Sequence, residues 1–346
     1  MEDVLVHIKN LTELAGVSGS EDNVRAYIKE KIRQYVDNIT VDSIGNLIAY
    51  KKGRSSKLKV MLAAHMDEVG FLVSGYTDAG YIKFKKVGGI DDRILPGKRV
   101  LLGDKKIPGV IGSKAIHMQN DDEFESNVKL EKMYIDIGCD KKDEAEALAP
   151  LGEYIVFNTQ YSELEGDSIK AKALDDRAGC AVIMELLKNT YDFDLYGCFT
   201  VQEEVGLRGA EVAAYAVNPD IAVIIESTTC SDVSDVEEYD YSTIYGEGAA
   251  ISLMDKTTLY DRNLVDFIYN IAIKNNIKVQ LKKTVSGGND AGPIQRTREG
   301  VKVATISIPC RYIHSPVSLI NKNDLFSCLN IMKLFLKQIK DCPGLK

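Results

Sequence analysis

Residues 58–64, Leu58 to Ala64, form an apolar run of strand length without the polar alternation of a half-buried strand. A run of this kind suits a strand covered on both faces. Both-face coverage implies a largely parallel sheet with helices on either side. The remainder of the chain agrees with that constraint. Residues 47–50, 196–201, 221–225 and 303–308 read as further strands. Residues 3–15, 21–36, 177–188, 210–216, 264–275 and 324–339 carry helical spacing. Ser20, just ahead of Glu21 and Asn23, is the expected start of the second helix. The fold class expected is therefore α/β, with a mixed, largely parallel sheet flanked by helices.

One segment departs from this texture. Residues 68–160 are rich in glycine and hold short β-type runs at 70–74, 81–85, 99–102, 109–111, 134–137 and 154–157, with one short helical stretch at 143–148. Turn residues recur between the runs. The segment reads as a small β-barrel-like domain, residues 67–162, inserted into an α/β body made of residues 1–66 and 163–346.

Composition narrows the function classes. Apolar residues make up 45% of the chain and charged residues 27%, as in soluble globular proteins. A formal net charge of -8 speaks against nucleic acid and anionic membranes as partners, because both need clustered Lys and Arg. No apolar run reaches the roughly 18 residues of a membrane span, and the N-terminus has no signal-peptide pattern. Seven scattered cysteines form no CxxC pair, which points to reduced thiols and a cytoplasmic location.

The chemistry-bearing residues fall at element ends. The chain has four histidines. His65 directly follows the run 58–64, Glu203 and Glu204 follow 196–201, Glu226 ends 221–225, and His314 comes shortly after 303–308. Asp175 and Asp176 stand just before the helix that begins near Arg177. Open α/β sheets bind ligands outside the carboxyl ends of their strands, so these stretches should meet on one rim. Imidazole and carboxylate are the ligands of zinc, cobalt and manganese. Taken singly, Asp175-Asp176 reads as a helix cap and Glu203-Glu204 as a solvated pair. Glu226 is harder to read as structural, because an unpaired carboxylate at the end of an apolar run is costly and a metal would relieve the cost. His7 and His117 read as structural. Residues 286–290 are glycine-rich but lack the strand–helix context of a dinucleotide site.

The stretches Ile44-Gly45-Asn46-Leu47, Ala64-His65-Met66-Asp67-Glu68-Val69-Gly70, Ala173-Leu174-Asp175-Asp176-Arg177, Gln202-Glu203-Glu204-Val205-Gly206 and Arg311-Tyr312-Ile313-His314-Ser315-Pro316 occur in that order. In this order and with these neighbours the chain resembles the tetrahedral, or glutamyl-type, aminopeptidases, which are two-metal peptidases. The resemblance covers nearly the whole chain and implies a zinc-peptidase-like fold. It also implies that Asp175 bridges two divalent ions (zinc, with cobalt or manganese as alternatives), that His65 and Glu226 complete one site, and that Glu204 and His314 complete the other. Glu203 would be the general base activating a metal-bound water. Asp67 would hold the His65 imidazole in its ligating tautomer. Glu226 stands where the family carries Asp or Glu, and Asn289 where it often carries Thr.

Peptides would lose residues from a free N-terminus. The inserted domain would mediate dimerisation, with dimers assembling into tetrahedral dodecamers. Residue preference would be set by the loops at 254–260 and 289–293, where no single charge decides it. The alternatives are a related two-metal carboxypeptidase or deacylase and an endoglucanase-type glycosidase. The latter needs two carboxyls flanking a sugar bond and neither histidine. A non-enzymatic scaffold would be expected to lack a ligand or the base, and none is missing.

Overall fold

A computed structural model describes residues 2–55 and 58–344. The run that begins at Leu58 becomes the strand Lys59–His65, whose last six residues are buried. It lies inside an eleven-stranded sheet. Four strands at its centre run parallel, in the order Asp194–Thr200, Lys59–His65, Ile221–Thr229 and Lys302–Arg311. Antiparallel strands flank them. Leu47–Lys51 and Asn38–Val41 continue one side, and Ser318–Asn321, Ser168–Ala171 and Ser162–Leu164 the other. Ala249–Ile251 pairs with Lys302–Arg311 and carries Val279–Leu281 beside it. The expected mixed, largely parallel α/β sheet is what the chain forms.

Helices cover this sheet because their apolar faces have nowhere else to go. Leu174–Leu186 packs on Lys59–His65 and Ile221–Thr229. Its approach is close: a Cβ on Gly179 would stand 2.4 Å from the Ile225 carbonyl oxygen and 2.4 Å from the Asp176 carboxylate. Only glycine lets the helix come this near. Regular helix begins after Asp176, since Asp175 and Asp176 have non-helical backbone angles.

Two expectations are corrected. The strand expected to end at residue 225 runs on to Thr229, with Glu226 opposite Ser307 and Thr229 opposite Cys310. Glu226 thus sits within a strand, because the polar residues Ser227, Thr228 and Thr229 still extend and pair. Ser20 does not cap the second helix. The helix is Asp22–Ile32 with Glu21 at the cap position and no side-chain cap bond. The Glu21 carboxylate instead accepts from the backbone N–H of Gly19 at 2.7 Å and of Gln202 at 3.2 Å.

Between His65 and Ser162 the chain forms a closed antiparallel barrel, with strands in the order Gly70–Tyr76, Ile82–Val87, Tyr134–Asp136, Ile107–Gly112, Arg99–Leu102 and Tyr154–Phe157. Closure leaves no unpaired edge. The barrel has its own core, in which Phe71 meets Phe84 and Phe157 edge-on at centroid distances of 5.1 and 5.2 Å. Its first strand starts five residues after His65, which sets the barrel beside the rim of the sheet. Among the described residues no helix is long and apolar enough to cross a membrane. All seven cysteines are free.

Candidate active site

Strand register explains why distant residues meet. His65 pairs with Thr200, and Ala63 with Ile224. Two steps on, Glu226 comes level with His65, while Glu203 and Glu204 leave the sheet just past Thr200. The segments that carry the remaining groups turn sharply. Ala173, Gln202, Tyr312 and His314 all have positive φ (52°, 57°, 60° and 56°) although none is glycine. Non-glycine residues in this region are strained and collect at functional sites.

The result is a compact cluster. His65 Nε2 lies 3.3 Å from Asp175 Oδ1 and 3.4 Å from Glu226 Oε1. His314 Nε2 lies 3.4 Å from Asp175 Oδ2 and 3.2 Å from Glu204 Oε2. Each imidazole therefore faces one oxygen of Asp175 and one glutamate. The other nitrogen of His65, Nδ1, is 3.1 Å from the Asp67 carbonyl oxygen and 3.4 Å from its carboxylate. The Asp67 carboxylate also accepts from Ser18 Oγ at 2.6 Å and from the backbone N–H groups of Glu203 and Glu204 at 3.1 Å each. Burial alone would raise its pKa, but the hydrogen bonds and the charge of His65 hold it below the usual range.

Asp176, which the sequence placed on the same rim without giving it a role, is buried against the cluster. Its Oδ1 accepts from the Gly179 N–H at 3.0 Å, and its Oδ2 has no partner. His7 and His117 lie elsewhere. His7 Nδ1 meets the Tyr27 hydroxyl at 3.1 Å, and His117 is exposed on the barrel segment Ile116–Met118.

A cavity of about 190 Å³ opens over the cluster, lined by His65, Asp175, Glu203, Glu226 and His314 at one end. Two of its other lining residues carry charge: Asp255, in the loop 254–260 expected to set residue preference, and Lys282, which the sequence did not point to. Asp255 follows the strand Ala249–Ile251, and Lys282 directly follows Val279–Leu281.

The donor set suits a divalent cation. Contacts of 3.2–3.4 Å are long for charged imidazole–carboxylate hydrogen bonds, about 2.7–2.9 Å. They match the edge of roughly 3.4 Å in a tetrahedron with arms of about 2.1 Å. Buried Oε2 of Glu226 and Oδ2 of Asp176 are left without partners. Burial is the main cause that pushes Glu204 up to about 7 and Glu226 up to about 8, and it raises Glu203 well above its usual range as well. Burial would lower both imidazoles, yet the surrounding carboxylates raise His65, and Asp175 and Glu204 raise His314 to about 9. Six carboxylates around two imidazoles (Asp67, Asp175, Asp176, Glu203, Glu204 and Glu226) call for added positive charge.

A model of the M42 glutamyl aminopeptidase family matches residues 45–331. The chain belongs to this family. Membership makes it an aminopeptidase, a metal-dependent peptide hydrolase. Solved structures of similar chains agree with the fold. An aminopeptidase of the archaeon Desulfurococcus kamchatkensis is 35% identical, covers 99% of this chain and 98% of its own, and superposes with a TM-score of 0.93. The TET aminopeptidase of a marine sediment Thaumarchaeota archaeon is 33% identical, covers 100% and 99%, and gives 0.95. The Pyrococcus horikoshii TET1 peptidase, which assembles into a tetrahedron or a large octahedral shell, is 34% identical, covers 97% and 99%, and gives 0.85.

Proposed function

We propose that this aminopeptidase works with two divalent cations per chain, zinc in the first instance with cobalt or manganese accepted, held by His65, Asp175 and Glu226 on one side and by Asp175, Glu204 and His314 on the other. The observation that carries this reading is Asp175, whose two carboxylate oxygens face different imidazoles. Bound cations of this kind polarise a carbonyl, lower the pKa of water and stabilise an oxyanion.

The chain's own residues do the rest. Glu203 lines the cavity, and among the described residues its carboxylate has no protein hydrogen bond. Burial raises its pKa, as suits a group that must take a proton and give it back near neutral pH. Glu203 removes the proton of the attacking water and returns it to the leaving amide nitrogen. Asp67 positions this machinery twice over. It fixes the tautomer and orientation of His65, and it anchors the backbone of Glu203 and Glu204. The substrate's free α-ammonium is a cation entering a carboxylate-rich site, which favours peptides with an unblocked N-terminus.

The barrel serves assembly. It exposes Ile116, Met118, Phe124 and Leu151, each more than 60% accessible, beyond its closed core. Burying that apolar surface against a second copy would stabilise both. The homo-oligomer is a dimer built through the barrel, with the tetrahedral dodecamer as its end state, in line with the shell formed by the Pyrococcus TET1 relative. The free thiols fit a cytoplasmic enzyme.

Removal of metal by chelation should abolish hydrolysis of a peptide with a free N-terminus, and elemental analysis after zinc addition should return two ions per chain together with activity. N-acetylation of the same peptide should block its cleavage. Full activity of metal-free protein, or equal rates on blocked and free peptides, would refute this reading.

A further inference from the structure

The proposed base, Glu203, has no side-chain tether. Among the described residues its carboxylate makes no protein hydrogen bond, so its direction into the cavity is set by its own backbone. That backbone has just left the strand Asp194–Thr200. Four consecutive N–H groups there donate to side-chain oxygens from other segments, in place of a strand partner. Val201 donates to Asn46 Oδ1 at 3.0 Å, Gln202 to Glu21 Oε1 at 3.2 Å, and Glu203 and Glu204 to the two oxygens of Asp67 at 3.1 Å each.

Glu21 is the least expected of these acceptors. It stands at the N-cap position of the helix Asp22–Ile32 but makes no cap bond. Ser, Thr, Asp or Asn there would turn back to the first helical N–H groups. Glu21 turns the other way, and its Oε1 takes the Gly19 N–H at 2.7 Å together with that of Gln202. The residue is only 4% exposed. Among the described residues no cation lies within ion-pair distance of its carboxylate, and burial raises its pKa above the usual range. Burying a carboxylate without a cation is costly. What it holds is a strained turn: Gln202 has φ of 57° without being glycine. A residue in that region keeps its conformation only where its surroundings over-determine it.

We propose that Glu21 is a positioning residue for Glu203: it locks the Gln202 turn and so aims the Glu203 carboxylate into the cavity. This rests on the reading of Glu203 as the general base. Glu21 does not line the cavity and exchanges no proton. A shift of about 1 Å in a reacting group costs up to about 100-fold in rate, so release of the turn should lower kcat by roughly 10- to 100-fold.

Glu21→Asp separates this role from a structural one. The side chain is one methylene too short for Gln202, while Asp at this position can cap the helix. The variant should therefore melt no lower than wild type and bind as much metal by elemental analysis. On a peptide with a free N-terminus it should still lose about 10- to 100-fold in kcat, with KM within about twofold. Glu21→Gln, which keeps the length and the acceptor oxygen, should retain most of the wild-type kcat. In the Glu203→Gln background Glu21→Asp should have no further effect, because a residue that acts only through the base has nothing left to aim. An unchanged kcat in Glu21→Asp, a loss of kcat that tracks lost metal or a lower melting point, an equal loss in Glu21→Gln, or the same loss in the Glu203→Gln background would overturn the role of Glu21 and leave Glu203 as the base. Wild-type kcat in Glu203→Gln alone would overturn both.

Discussion

Between Gly70 and Phe157 the described chain buries no polar or charged side chain, whereas the α/β body buries His65, Asp67, Glu68, Asp176, Arg177 and Glu226 close together. An apolar core is satisfied by shape and volume. A buried charge is satisfied only by a partner in the right place. Glu68 illustrates the difference: its carboxylate takes the Lys172 ammonium at 2.6 Å and the Arg177 guanidinium at 3.2 Å, directly behind the loop that carries Asp175. The sheet rim therefore specifies positions to a fraction of an ångström, and the barrel specifies a shape. Damage to the two regions should look different.

The largest effect belongs to the rim. Glu203→Gln keeps the size of the side chain and removes the proposed base, so kcat should fall by up to about 10⁴-fold. Bound metal, measured by elemental analysis, should stay at the wild-type level, and the barrel and the oligomer should be untouched. Asp175→Asn should instead lose metal. Metal depletion in Glu203→Gln with full loading in Asp175→Asn would reverse the roles given to these residues.

The barrel should respond through stability. Phe71 is fully buried between Phe84 and Phe157. Truncation to Ala should cost about 3–5 kcal/mol, read as a lower denaturant midpoint. Hydrogen exchange adds the sharper readout. Amides of residues 70–157 should lose protection well before those of Lys59–His65 and Ile221–Thr229. Equal loss in both would mean that the barrel and the sheet unfold as one unit, and the contrast between them would fail.

A smaller effect is expected on the barrel's outside. Met118→Asp combined with Phe124→Asp places charge on side chains that are 63% and 65% exposed in the single chain. If a second copy covers them, the dissociation constant of the oligomer should rise at least about tenfold, or roughly 1.4 kcal/mol, by native mass measurement or sedimentation. An unchanged oligomer would move the contact to another surface.

The two regions were also unequally legible in the sequence. All six barrel strands stand out because glycine and turn residues bracket each short run, as at Arg99–Leu102 and Tyr154–Phe157. The central strands stand out because Lys59–His65 and Ile221–Thr229 are apolar on both faces. Where an apolar signal is missing, reading fails. Ser227-Thr228-Thr229 gives no hint that the strand continues, and the three- and four-residue strands Ser162–Leu164, Ser168–Ala171 and Ser318–Asn321 give little more. At the site, the convergence of His65, Glu203, Glu204 and His314 follows from a local rule about strand ends, whereas Asp175 precedes a helix and Glu226 sits within its strand. Lys282 and Asp255 follow no such rule. Their place beside the cluster depends on Ala249–Ile251 pairing with both Lys302–Arg311 and Val279–Leu281, a long-range arrangement that no local pattern encodes.

Helix caps give the smallest and most even comparison, because the same chemistry occurs in both regions. In the α/β body, Asp261 caps Arg262–Lys274 by accepting from the Leu264 N–H at 2.9 Å. That helix buries Leu264, Val265 and Ile268 against the main core, so Asp261→Ala should cost about 1 kcal/mol of global stability. In the barrel, Asn120 accepts from the Glu123 N–H at 2.9 Å and forms a full capping box at the head of Asp121–Glu125. This helix has five residues and buries none of them. Asn120→Ala should therefore fray it locally and change global stability by less than about 0.5 kcal/mol, although its cap is the more complete of the two. Ser20→Ala should fall in the same range, since Ser20 makes no cap bond. Denaturant melts of the three variants decide the matter. A cost at Asn120 equal to that at Asp261 would show that the barrel's surface segment contributes to the global fold, and the division between a tightly specified body and a separately stabilised barrel would have to be redrawn at residue 120.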